Sequence, residues 1–143
     1  MTILELVVKI LFSIFSFAIA VSDLKTGAVP RIAFVFAFPV FFVLCLLSDS
    51  SHSAVVMLAG TLFGLLVFLL AFVISGKRLG LADVWYSALI GLVLGPWWWH
   101  AAMFFACIAG IIYILISGRH KIPFIPLMAL GSIGVSIFII FFK

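Results

Sequence analysis

Apolar runs fill this sequence almost end to end, and nothing constrains its fold more. The runs are near-continuous rather than alternating, and only short polar or glycine- and proline-marked stretches separate them. In lipid every backbone N–H and C=O must find a partner within its own segment or ladder, which leaves helices or closed barrels. Barrel strands alternate apolar and polar residues, so the pattern here selects helices. With 68% hydrophobic and 8% charged residues and a mean hydropathy of +1.54 over 143 residues, a soluble domain is excluded: it could not cover that much apolar surface. The expectation is one all-α polytopic membrane domain, 1–143, in contact with the lipid bilayer.

The punctuation divides the chain into six expected spans, at about 3–21, 32–47, 54–75, 81–97, 101–117 and 123–142. Pro30 suits the first turn of the second span, because its missing N–H would go unpaired there anyway. The fourth run fades at Gly95-Pro96, and Trp97, Trp98 and Trp99 read as a membrane-interface belt that lets it complete a crossing. The first run ends in Phe17-Ala18-Ile19-Ala20, which resembles a signal-peptide cleavage site. No basic residue precedes it and Glu5 lies within it, so it is read as a retained span. Glu5 and Lys9, one turn apart, are placed to pair.

Eight basic residues scattered over short loops form no nucleic-acid patch; they read as topology determinants. Lys25, Arg31, Lys77, Arg78, Arg119 and Lys121 fall in alternate loops, against Lys9 and Lys143 on the other side. Those six mark the cytoplasmic face, so both termini are expected outside. Cys45 and Cys107 each sit alone in an apolar run and read as small core filler. His52, His100 and His120 are too scattered for a metal site and read as interfacial. The GxxxG pairs Gly60/Gly64 and Gly91/Gly95 suit close helix approach within the bundle.

The chain has four acids, Glu5, Asp23, Asp49 and Asp83. An ionisable side chain at a span costs about 2.5–3.5 kcal/mol at mid-bilayer and less near the interface, which makes it a functional candidate by default. Asp23 and Asp83 both fall where an apolar run meets a basic loop on the cytoplasmic side. Two carboxylates about 4 Å apart repel by roughly 4 kcal/mol at an effective dielectric near 20, or about three pK units, so such a pair shares one proton. The ionised member can then take a proton from water while the protonated member polarises a carbonyl. Plainer roles compete: Asp83 suits a helix N-cap, and Asp23 balances Lys25. Spacing alone does not choose between them.

Three stretches resemble a known family. The segment 22–30, SDLKTGAVP, is similar to the first aspartate motif of the type IV prepilin peptidase and preflagellin peptidase family, an acid followed by a basic residue and a hydrophobic-proline pair. The segment 79–85, LGLADVW, stands where that family carries GxGD, and 121–131, KIPFIPLMALG, resembles the stretch that opens its last helix. The resemblance implies an intramembrane aspartic endopeptidase of a prokaryotic cytoplasmic membrane, with six helices and a cytoplasm-facing site. It would remove the leader of a small single-span prepilin-, pseudopilin- or preflagellin-like substrate.

On that analogy Asp23 and Asp83 are the catalytic pair. Lys25, Pro30, Gly80, Ala82 and Pro123 shape the site or meet substrate, and no metal or organic cofactor is implied. Some relatives also methylate the new N-terminus and carry a loop with paired CxxC motifs. This chain resembles the short catalytic-core form, for which no zinc is expected. It departs from the pattern at Ala82, in place of the second glycine of GxGD, at Trp85, where a lysine is usual, and at Arg31, where an asparagine commonly follows the proline. Those departures motivate a second reading, a catalytically silent relative that serves as a binding or assembly module of a pilus or secretion system. A small proton-coupled transporter is a third reading, but it would need more polar groups deep in the spans.

Overall fold

The computed structural model describes residues 2–48, 53–76, 78–118 and 123–142. It is all-helical, with five helices: α1 (Ile3–Thr26), α2 (Arg31–Leu47), α3 (Ala54–Ile74), α4 (Leu81–Ser117) and α5 (Phe124–Phe142). All but α2 are long and apolar enough to cross a membrane. At 17 residues α2 rises only about 25 Å, short of a hydrocarbon core of about 30 Å. Of the residues used above, Asp49, His52, Lys77, Arg119, His120, Lys121 and Lys143 lie outside the described ones.

α1 is longer than the first expected span because nothing stops it at residue 21. Thr2 and Glu5 start it with a capping box: Glu5 N–H donates to Thr2 Oγ1, and Thr2 N–H donates to Glu5 Oε2. That capping bond engages the Glu5 carboxylate. The helix ends at Gly27, whose φ of 65° is open to glycine and costly for other residues. Its N–H donates to the Asp23 carbonyl at 2.8 Å. Asp23 therefore belongs to the last turns of a helix rather than to a loop. Pro30 is the residue before α2, at its N-cap.

The largest difference from the expected spans lies in α4. The fourth and fifth expected spans form one helical element, interrupted at Gly95 and not at the tryptophans. Gly95 adopts φ 77° and ψ 171°, a conformation that is essentially glycine's own. Pro96 enforces it by excluding the helical region for the residue before it, and then serves as first residue of the second arm. The chain folds back there. Trp99 Nε1 donates to Ser87 O at 3.1 Å and lies 3.0 Å from Ser87 Oγ, twelve residues away. A straight helix would separate those residues by about 18 Å. On α5, Gly131 rests against Ala102 and Ala106, while the next residue, Ser132, meets Tyr86. The two arms, 81–94 and 96–117, therefore lie side by side.

The tryptophans divide accordingly. Successive helical residues point about 100° apart, so Trp97 is exposed, Trp98 is half-buried against Phe138 and Trp99 is buried. Trp99 is thus a core residue rather than part of a belt, packed edge-on against Phe63 and Phe68. Likewise Cys45 is buried but Cys107 faces outward. Replacing Trp99 by Phe keeps the ring packing and removes the indole donor that reaches Ser87 from the second arm. A loss of about 1–2 kcal/mol in unfolding free energy is expected, read as a lowered melting point in detergent.

The first arm of α4 is the axis of the bundle, buried almost without interruption from Asp83 to Gly95. A helix apolar on all sides is stable only when others surround it, and here they do. α3 lies against it through Gly60 and Gly64, which rest on Gly91 and Ser87. The ring of Phe34 on α2 lies 6.4 Å from that of Tyr86, and α5 reaches Tyr86 through Ser132. The outward faces of the other helices are apolar and exposed, as lipid contact requires.

Candidate active site

The segment between α3 and α4 ends in a short extended stretch, and Gly80 caps the helix that follows. Asp83 is its third helical residue rather than the N-cap itself. Its carboxylate turns back so that Gly80 N–H donates to Oδ2 at 2.9 Å. This is half of a capping box, with glycine lacking the side chain for the other half. A carboxylate in the first turn also sits in the favourable end of the helix dipole. Capping and chemistry are thus compatible: one oxygen holds the helix start, and Gly80 is the one described residue that donates to it. Asp83 is 7% exposed.

Gly80 has φ −71° and ψ 142°, ordinary extended backbone. Its lack of a side chain matters for space instead. A Cβ there would stand 3.1 Å from Asp83 Oδ2, tighter than ordinary contact. Gly80→Ala should displace the carboxylate by a few tenths of an ångström while the helix still forms. Since a misplacement of 1 Å can cost about a hundredfold, a loss of roughly tenfold in turnover is expected, measured beside an unchanged melting curve.

Asp23 reaches the same end of the bundle from α1, and its charge acts on the Asp83 carboxyl. It is half-buried and retains access to solvent. The two acids thus differ in surroundings: one is enclosed and tied to a backbone N–H, the other is more open. Such a difference suits a pair that divides acid and base work.

The remaining sequence-predicted residues are placed as follows. Ala82 lies within α4 on helical backbone, half-buried against the core; its methyl group is therefore accommodated without a left-handed conformation. Lys25 is exposed in the last turn of α1, where a cation suits the helix C-terminus. Pro30 and Arg31 are exposed at the start of α2, whereas their neighbour Val29 is buried and pins the connection. Trp85 packs its ring edge-on against Phe38 of α2, centroids 6.1 Å apart. It lies about 200° around the helix from Asp83 and so points away from that carboxylate. Pro123 precedes α5. No hydrogen bond or ion pair joins Lys25, Pro30, Ala82 or Pro123 to either acid among the described residues. No three of His, Cys, Asp and Glu converge among the described residues.

Sequence reasoning passed over Tyr86 and Ser132, whose hydroxyls lie 3.3 Å apart in the core, and the wholly buried Ser16. Their signal was present. Ser16 stands seven residues before Asp23 and Tyr86 three after Asp83, spacings that return to nearly the same helix face.

The family model for the type IV leader peptidase family matches residues 10–115, a stretch that contains both acids. The chain is also 30% identical over 139 residues to a protein of Bacillus subtilis (strain 168), the prepilin leader peptidase/N-methyltransferase. That alignment covers 91% of this chain and 55% of the relative, so the chain spans about half the relative's length. No solved structure matches. Segments 22–30 and 79–85 fall within the matched stretch, and the resemblance to this family is borne out: the chain belongs to the type IV leader peptidase family.

Proposed function

We propose that this chain is an intramembrane aspartic endopeptidase that removes the N-terminal leader from small single-span proteins of prepilin or preflagellin type. Asp23 and Asp83 act as a pair on one water. The ionised member takes a proton from that water as it attacks the scissile carbonyl, and the protonated member gives its proton to the carbonyl oxygen. The proton taken from water then passes to the leaving amine as the C–N bond breaks, and the diol returns a proton to the pair as the new carboxyl forms. What supports this reading is the placement of Asp23 in the last turns of α1 and of buried Asp83 in the first turn of α4, near enough for the charge of one to act on the other, in a chain of the leader peptidase family. The relative's printed name supplies the substrate class.

The membrane arrangement follows from the same reading. The two arms of α4 are separate crossings, which with α1, α2, α3 and α5 makes six, α2 and the first arm being short ones that the bilayer thins locally to meet. Both termini lie outside and the acids at the cytoplasmic face of a prokaryotic inner membrane. The basic residues Lys25, Arg31 and Arg78 near that end support this orientation. A leader segment rich in basic residues would then meet the acids without crossing the bilayer.

The test is co-expression with a tagged prepilin-type substrate, followed by mass determination of the substrate's N-terminus. Leader removal that depends on this chain supports the reading. A substrate that co-purifies uncut identifies the silent binding module instead.

A further inference from the structure

The Gly80 N–H holds the Asp83 carboxylate, and the segment that presents this N–H is itself held from the end of α3. Ser75 closes α3 as its C-cap. Its hydroxyl works in both directions. It donates to Phe72 O at 3.0 Å, one of the helix's last carbonyls, and accepts from Leu79 N–H at 3.3 Å. Gly76 turns the chain between them with a left-handed φ of 64°, and Arg78 N–H returns to Ser75 O at 3.4 Å. Leu79 also packs its half-buried side chain against the core. The next amide along the chain is Gly80 N–H, which donates to Asp83 Oδ2 at 2.9 Å. A series of hydrogen bonds thus leads from the last turn of α3 to the buried acid.

Gly80 is exposed and has no side chain to fix its own place, and glycine loses more freedom on ordering than any other residue. What aims its N–H is therefore the residue before it. Leu79 is fixed twice, by its side chain and by its N–H. The apolar contact is non-directional and sets only how deep the residue sits, whereas the hydrogen bond to Ser75 Oγ sets its orientation. α3 in turn is seated on α4 through Gly60 and Gly64, so Ser75 refers the carboxylate to a packed helix instead of a free loop.

We infer that Ser75 is a positioning residue, its hydroxyl bracing the segment between α3 and α4 so that the Gly80 N–H holds Asp83 in place for its work with Asp23. The role rests on the aspartic-pair reading, and the experiment separates the two.

Ser75→Ala removes the hydroxyl and leaves Leu79 packed on the core. Turnover should fall roughly tenfold, the effect of a carboxylate displaced by a few tenths of an ångström, with KM little changed. Ser75→Thr restores a hydroxyl that can bond a carbonyl of the preceding turn, and should bring turnover back to within about twofold of wild type. Ser13→Ala is the control, since its hydroxyl donates to Lys9 O within α1 and should leave both parameters alone. The brace is read independently of activity as hydrogen exchange at the Gly80 amide, in protein carrying isotope-labelled glycine. Exchange should quicken roughly two- to tenfold in Ser75→Ala, the worth of one hydrogen bond, and keep its wild-type rate in Ser75→Thr and Ser13→Ala.

An unchanged Gly80 amide in Ser75→Ala would overturn the brace, as would a Ser75→Thr protein as impaired as Ser75→Ala. So would wild-type turnover in Ser75→Ala where Asp83→Asn is inactive, and in each of these cases an inactive Asp83→Asn leaves the aspartic pair standing. A quickened Gly80 amide in Ser75→Ala beside a fully active Asp83→Asn would do the reverse, keeping the brace and overturning the pair.

Discussion

Asp83→Asn is expected to stop leader cleavage while the protein still folds and accumulates in the membrane. The amide oxygen of asparagine can accept the Gly80 N–H as Oδ2 does now, so the start of α4 survives. What disappears is the exchangeable proton. Asparagine neither takes a proton from water nor delivers one to a leaving amine, and acid–base catalysis is worth about 10²–10⁴ per step. Since both halves of the reaction need the pair, processing should fall by at least about 10³ and in practice below detection. Asp23→Asn should match it, because either substitution leaves a single carboxylate that cannot be acid and base at once. Asp83→Ala is the less informative variant, as it also removes the acceptor at the helix start and costs about 1 kcal/mol of cap energy. The measurement is the fraction of tagged substrate cut at equal enzyme levels. Unreduced cleavage by either Asn variant would reject the pair.

Much of this architecture is written in the sequence at the level of composition. Continuous apolar runs dictate helices, and short polar connections dictate neighbours in space, so the helical class and most helix positions follow directly. The family was legible for a different reason: an acid at a helix end, a glycine three residues before another acid, and a proline-rich helix start each occupy a position whose backbone environment restricts the choice. The misses were of another kind. At residue 21 apolar character ends but nothing forbids a helix, so α1 runs on until Gly27 supplies a left-handed cap. The fade at Gly95-Pro96 was legible and is where the helix breaks; the miss was to let the tryptophans at 97–99 extend the span past it. Trp99 could not be placed without knowing that the chain turns back and brings Ser87 within reach. Tyr86 and Ser132 are ordinary residues alone, and although Tyr86 shares a helix face with Asp83, only the packing of α5 on α4 brings the two hydroxyls together.

The contact of α3 with the first arm of α4 carries the largest expected structural effect. Gly60 and Gly91 face each other so closely that a Cβ on Gly91 would run into Gly60 O, its carbonyl carbon at 2.6 Å and Thr61 N at 3.2 Å. These are backbone atoms of a hydrogen-bonded helix, and no rotamer change moves them aside. Gly91→Val must therefore push α3 bodily from α4. The same stretch of α3 carries Gly64, which accepts from Ser87 Oγ through its carbonyl, and Phe63, which packs on Trp99, so one displacement loosens several contacts together. Overpacking in a dense core commonly costs about 1–3 kcal/mol and more when backbone has to move; about 3 kcal/mol or above is expected here. Gly134→Val provides the comparison, since a Cβ there meets nothing within 4 Å and its effect should stay near the small propensity change of a surface helix site. Thermal unfolding in detergent compares the two directly. A Gly91→Val protein as stable as Gly134→Val would mean that the two helices do not approach at these glycines, and that α3 packs elsewhere on the bundle.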